Sequence, residues 1–376
     1  MARMSMSYQF QSVAALSPTL IEDIGLSIAD IGLLIGIYLA PGVVVAIPGA
    51  TISARFGDKR VVALSMVMML LGMALMAAVS GWPAMVVGRV LAGAGGVVLN
   101  VVMTKMVVDW FAGREISTAM AIFINSWPVG IAVALLTLPG IAAAGGLPAA
   151  WLAVSAMIGV TLALFVAVYR PAPGAAPASP TITARRFPVA ALLFAALVWA
   201  LYNTALAMVF GFGPAYLAER GASPESAGVT ISLFMVVFAV AVPLGGVIAD
   251  RSGRRDTVIA VSLVTFSALI PLLMVLPLAA APALLLAVGF LFGLGAGPMV
   301  GLPANVLTAE ARTFAMGVYF TIYYGWMMIA PSLIGTVADR YGTVAVAMIG
   351  GAAMSALALL SLGAFRRITR VVSVPA

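Results

Sequence analysis

The chain has 376 residues, with no cysteine and no histidine, and only 8% of it is charged. Without cysteine there are no disulfides, thiolate nucleophiles or cysteine metal sites. Without histidine the commonest metal ligand is gone, along with the side chain that ordinarily titrates near neutrality. So little charge excludes a water-soluble globule. Soluble domains carry about 25% charged residues, whereas this chain is 64% hydrophobic with a mean hydropathy of +1.18. The net charge of +7 does not point to nucleic acid, because the basic residues are scattered between apolar segments and form no basic face with interleaved aromatics. No glycine loop followed by Lys-Ser or Lys-Thr is present to cradle ATP. No enzyme constellation is recognisable, so neither catalysis, nor a cofactor, nor a metal is expected.

What the chain does contain is long apolar segments. A membrane-spanning helix needs about 20 mostly apolar residues. Twelve such segments are expected, near 4–21, 30–54, 60–80, 83–109, 116–143, 148–169, 188–217, 225–250, 257–279, 281–307, 313–338 and 343–365. The first is followed by further spans, so it is not a cleavable signal peptide. The Pro- and Ala-rich stretch with Arg185-Arg186 reads as a mobile linker, giving a six-helix unit over 1–169, a linker over 170–187 and a second six-helix unit over 188–376. With the N-terminus in the cytoplasm, 15 of the 19 basic residues, Arg3 among them, fall on the cytoplasmic side. Arg220 and Arg340 fall opposite, and Arg89 and Lys105 lie within the fourth span. That bias is what the positive-inside rule predicts, and it places both termini in the cytoplasm.

The two units repeat. Arg55 and Arg251, Gly57 and Gly253, and Gly49 and Gly245 are each 196 residues apart, as are Gly32 and Gly228. A duplicated membrane protein with a basic turn at matching places is a transporter pattern. The offset also makes span 1 short beside span 7, and the native chain is expected to begin upstream of Met1.

Several motifs narrow the reading. Gly246-x-x-x-Asp250-Arg251-x-Gly253-Arg254-Arg255 joins spans 8 and 9. A weaker copy joins spans 2 and 3, keeping Arg55, Gly57, Lys59 and Arg60 but with Ala54 at the carboxylate position. Gly88-Arg89-x-x-x-Gly93-x-Gly95-Gly96 lies in span 4, and Gly335-x-x-x-Asp339-Arg340-x-Gly342 ends span 11. With these motifs the whole chain resembles the major facilitator superfamily of secondary transporters. Lys105-Met106-x-x-Asp109-Trp110-Phe111 and Asn125-Ser126-Trp127-Pro128-Val129-Gly130 are similar to the cyanate permease and nitroimidazole transporter group. The glycine-proline pattern of drug antiporters is missing from span 5. The resemblance implies an all-α membrane protein of two pseudo-symmetric six-helix bundles, alternating access, and a cavity lined by spans 1, 4, 7 and 10 with help from 5, 8 and 11.

Candidate site residues follow. Arg89 lies seven residues past Trp82, about 10 Å along a helix at 1.5 Å per residue. A cation that deep needs a cavity or a partner, and all twelve carboxylates fall in loops or at helix ends. It is either an anchor for an anionic substrate or a clamp on backbone carbonyls and Asn side chains; the anchor is the working expectation. Lys105 is expected to pair with Asp109 one turn later. Asn100, Asn125, Trp127, Tyr202, Asn203, Asn305, Tyr319 and Tyr323 are expected to contact substrate, with interhelical packing as the alternative. Gln9, Gln11, Tyr324 and Trp326 are weaker candidates. Gly49, Arg55, Gly57, Asp250, Arg251 and Gly253 are expected to form cytoplasmic gates. The expectation is a monomeric, multi-pass inner-membrane carrier of a small anionic solute. Efflux of neutral or cationic compounds is the alternative, and a non-transporting sensor a remoter one. With no histidine and no mid-helix carboxylate, a side-chain proton relay has few candidates.

Overall fold

The computed structural model describes residues 1–45, 53, 55–78, 81–111, 116–170, 188–307 and 312–372. The linker expected over 170–187, except Arg170, lies outside them, as does Gly49. Among the described residues the chain is helical throughout: α1 (Ala2–Ala15), α2 (Ser17–Ile24), α3 (Ile28–Ile37), α4 (Pro41–Val45), α5 (Asp58–Ala78), α6 (Trp82–Phe111), α7 (Ile116–Val168), α8 (Val189–Glu219), α9 (Pro224–Ser252), α10 (Arg255–Leu269), α11 (Ala281–Val300), α12 (Arg312–Tyr341) and α13 (Ala345–Val372).

Ten of the described helical stretches are long and apolar enough to cross a membrane. One of them, Ile122–Val168, is 47 residues long and holds two crossings, because Gly146 breaks α7 with φ 72 and ψ −178. The segment expected as the first crossing is α1 and α2 together, broken at Leu16 ahead of Pro18, and lies outside those ten; with it the described residues hold twelve. Proline shapes the departures from the expected spans. Span 2, expected as one helix, is broken between α3 and α4 at Pro41. Span 9 ends in a 3-10 turn, Ile270–Met274, at Pro271, and span 10 in another, Leu302–Asn305, at Pro303. A proline lacks the N–H that would continue the helical ladder and clashes with the carbonyl four residues back.

The repeat is written into the backbone. Of the glycines with positive φ, Gly25 and Gly221, Gly57 and Gly253, and Gly146 and Gly342 form pairs 196 apart. The helices that follow the first pair start alike: Ser27 accepts a hydrogen bond from Asp30 N, and Ser223 from Ser226 N.

The halves meet along two related seams. In one, α3 lies on α12, and a Cβ at Gly32 would sit 2.3 Å from Pro331 O. In the other, α9 lies on α7, and a Cβ at Gly228 would sit 2.3 Å from Leu135 O. Shifting the second contact's partner by the repeat offset turns Leu135 into Pro331, so the seams share one construction: backbone on backbone, permitted by glycine. Beside them, Ser232 Oγ donates to Ala132 O at 2.9 Å, and both carboxylate oxygens of Asp339 accept from the free N–H groups opening α3, Ile28 N at 2.9 Å and Ala29 N at 2.8 Å. These contacts close the molecule at the face opposite the basic turns.

Candidate functional site

Between the halves lies a cavity of about 330 Å³, lined from α1, α6 and α7 on one side and α8, α9, α11 and α12 on the other. That falls within the roughly 300–1,000 Å³ of small-molecule pockets. Six expected site residues line it: Asn100, Asn125, Trp127, Tyr202, Asn203 and Tyr323. The side chain of Asn305 lies outside the described residues.

Arg89 does not line the cavity, and here the expectation is corrected. Its side chain is fully buried beneath α1 and α3. Nε donates to Leu34 O at 2.9 Å, Nη1 to Gln9 O at 3.0 Å and Nη2 to Phe10 O at 3.0 Å. The guanidinium also covers the Tyr38 ring at 4.6 Å. Each nitrogen of the fork donates to a carbonyl, so the charge is spread over carbonyl dipoles rather than offered to a solute. Tyr319 is corrected too: it is 2% exposed, lies outside the lining and has a buried hydroxyl without a hydrogen-bond partner among the described residues. Its packing partner is Phe320, edge to face at 5.3 Å.

The cation in the cavity wall is Arg3. Composition and position in the chain assign it to topology, but the repeat could have found it. Arg3 plus the offset is Trp199, which lies 11 residues beyond Pro188, where span 7 begins. Its counterpart in span 1 is therefore deep in the bundle. Arg3 Nε donates to Asn100 Oδ1 at 2.7 Å, and Nη1 to Ile124 O at 2.8 Å and to Phe123 O. Ile124 O is available because the residue four later is Pro128, which has no N–H to offer it. The guanidinium lies 4.6 Å from the Phe123 ring and 5.7 Å from that of Trp127. Among the described residues, none of its hydrogen bonds uses Nη2 and no carboxylate pairs with it.

The rest of the wall is largely aromatic and aliphatic. Trp199 stacks on Tyr202 at 6.0 Å, and Tyr323 lies 6.4 Å from Trp199. Tyr202 Oη donates to Phe292 O at 2.8 Å, and Asn203 Nδ2 to Trp199 O at 2.8 Å. Asn125 Oδ1 is buried without a partner among the described residues. Above the cavity, Gln11 Nε2 donates to Phe210 O at 2.6 Å, a carbonyl freed by Pro214 and the bond that ties α1 to α8 across the halves.

The motif turns sit away from the cavity. Gly57 has φ 82, and Gly253, with φ 65, caps α9 in the left-handed conformation. Asp250 Oδ1 accepts from Arg255 Nη2 at 2.7 Å, not from Arg251 or Arg254, and both partners are more than half exposed. Such a pair contributes about 0–1 kcal/mol. Arg55 and Arg251 are exposed. Lys105 pairs with Asp109 at 2.8 Å, as expected, and also with Asp58 at 3.0 Å, a carboxylate of the first turn that also accepts from Ser53 Oγ.

Comparison with known proteins agrees with this architecture. The chain is similar to the hexuronate transporter of Bacillus subtilis (strain 168), 24% identical over 392 residues, which is 97% of this chain and 91% of that protein. It is also similar to a probable L-galactonate transporter of Escherichia coli (strain K12), 28% identical over 157 residues, though that match covers 42% of this chain and 34% of the relative. The fold matches a crystal structure of the nucleoside transporter NupG with a TM-score of 0.74 at 15% identity, covering 96% of this chain and 98% of that one. The narrower likeness to the cyanate permease and nitroimidazole transporter group finds no support among these relatives. The Major Facilitator Superfamily model matches residues 1–331 and again 190–375, and the twelve-helix, twofold-repeated chain belongs to that superfamily of membrane transporters.

Proposed function

We propose that this protein is a secondary active transporter of a small organic anion, working by alternating access in the bacterial inner membrane with both termini in the cytoplasm. The observation that carries the reading is Arg3, a cation in the wall of the central cavity with no described carboxylate beside it and one edge of its fork unspent. An anion would complete it through Nη2, in a charge-assisted hydrogen bond. The named solutes of the relatives, hexuronate and galactonate, are sugar acids and anionic at neutral pH. Efflux of cations has less support, because no carboxylate lines the cavity among the described residues.

In this proposal the described conformation is the inward-facing one. The cavity residues lie toward the basic face, and the glycine seams, Asp339 and the Gln11–Phe210 bond close the opposite face. Rocking the two bundles about the cavity would exchange one closed face for the other.

The test is counterflow in proteoliposomes with labelled small anions, neutral compounds and cations. Wild type exchanges anions selectively, and Arg3→Gln lowers that exchange about 10- to 100-fold, as expected for losing a hydrogen bond to a charged group. Equal exchange of neutral compounds that survives Arg3→Gln would refute it.

A further inference from the structure

We infer that the body of this anion is apolar and flat, an aromatic monocarboxylate rather than a polyhydroxylated sugar acid; the inference rests on the anion reading above. Among the described residues the cavity contains one cation with an unspent nitrogen, so one negative charge is matched. Several of its other polar groups are committed to the protein: Asn100 Oδ1 accepts from Arg3, the Tyr202 hydroxyl is given to Phe292 O and the Asn203 amide N–H to Trp199 O. The polar groups left are few beside an apolar lining, chiefly the Asn125 amide and the hydroxyls of Tyr323 and Tyr324. The wall facing them is Phe10, Leu206, Phe210, Met235 and Phe238.

A sugar acid carries a hydroxyl on nearly every carbon. Each hydroxyl that leaves water without finding a partner weakens binding, and each wall group left unpaired does the same. A flat apolar ring makes no such demand. It gains contact with the aromatic shelf instead: Trp199 and Tyr202 lie nearly parallel, 19° apart, and Tyr323 tilts 42° from Trp199. Rings so arranged take another ring edge-on or offset. The wall therefore offers an anionic ring more contact than it offers a polyol hydrogen bonds.

The test is isothermal titration of the detergent-solubilised protein with benzoate, galacturonate and benzamide at neutral pH, where only the first two are charged. The expected result is benzoate at least 10-fold tighter than galacturonate and at least 10-fold tighter than benzamide. Trp199→Leu is expected to weaken benzoate about 10-fold, and Arg3→Lys to weaken it while the melting temperature stays near wild type. Galacturonate binding as tightly as benzoate or tighter, and dependent on Arg3, overturns the aromatic body and leaves the anion reading standing. Benzamide equal to benzoate, or no binding of either acid, overturns both. The benzoate–benzamide comparison uses the unaltered protein and so holds even if the variants fold poorly.

Discussion

Two arginines in apolar helices do opposite work, and their hydrogen bonds tell them apart. Arg89 gives all three nitrogens to carbonyls of α1 and α3, while none of the hydrogen bonds that Arg3 makes among the described residues uses Nη2. Hydrogen bonds to charged groups contribute about 1.5–3 kcal/mol each, so Arg89→Gln is expected to destabilise the protein by about 3 kcal/mol or more, read as a lower melting temperature in detergent. An Arg89→Gln protein of normal stability with lost anion binding would return Arg89 to the site. The sequence made the depth of Arg89 legible, since Trp82 marks the start of its helix, and both roles were open on that ground. It could not decide between them, because the carbonyls that take the charge lie 55 to 80 residues away. Arg3 was assigned to topology at the start of the chain, and the repeat is the signal that could have shown its depth.

At the level of helices, prolines open acceptors for some of the buried donors. Each removes an N–H and frees the carbonyl four residues earlier. Arg3 takes Ile124 O ahead of Pro128, Gln11 takes Phe210 O ahead of Pro214, and Arg220 with Tyr216 takes Leu273 O ahead of Pro277. Such pairs are hard to read in advance: the proline is visible, but not the donor that meets its carbonyl.

The seam between α3 and α12 is more exposed to test. A side chain at Gly32 has no room beneath Pro331, and Asp339 closes the same seam by capping α3, an interaction of a carboxylate with a helix N-terminus. Gly32→Leu and Asp339→Ala are each expected to shift the protein toward the conformation open at the face opposite the basic turns. Because the chain has no cysteine, a single Ile35→Cys, at a position 2% exposed, can report on it. Its reaction with a membrane-impermeant maleimide should rise about 10-fold in either variant, an effect of about 1.4 kcal/mol on the opening equilibrium. Unchanged labelling would mean that the seam does not hold that face shut.

For the whole molecule, the fold was legible because composition, charge bias and repeat all pointed the same way. Residues 196 apart adopt the same unusual backbone, including Gly342, from the motif that ends span 11, and Gly146, which no motif had singled out. The candidate site was legible in part. Asn, Trp and Tyr within the cavity-lining spans could be proposed from position, but which of them have polar atoms to spare depends on helices far apart in sequence. The basic turns were legible as motifs. Their partners were not, and Asp58 reaching Lys105 where Ala54 offers no carboxylate is a substitution only the packing displays.

Arg3 also bears on the energetics of the cycle. An empty carrier that closes around an unpaired guanidinium encloses a net charge in a dry interior, whereas one that closes around a monoanion encloses a neutral pair, and burying an unpaired ion is the costlier step. On the proposed function the loaded protein is thus expected to turn over more readily than the empty one, as a one-for-one exchanger does. In liposomes, exchange of internal for external anion should run at least about 10-fold faster than net efflux into anion-free buffer, the equivalent of about 1.4 kcal/mol on the return barrier. An imposed diffusion potential, worth about 2.3 kcal/mol per charge at 100 mV, should leave that exchange unchanged, because the traffic in each direction is electrically silent.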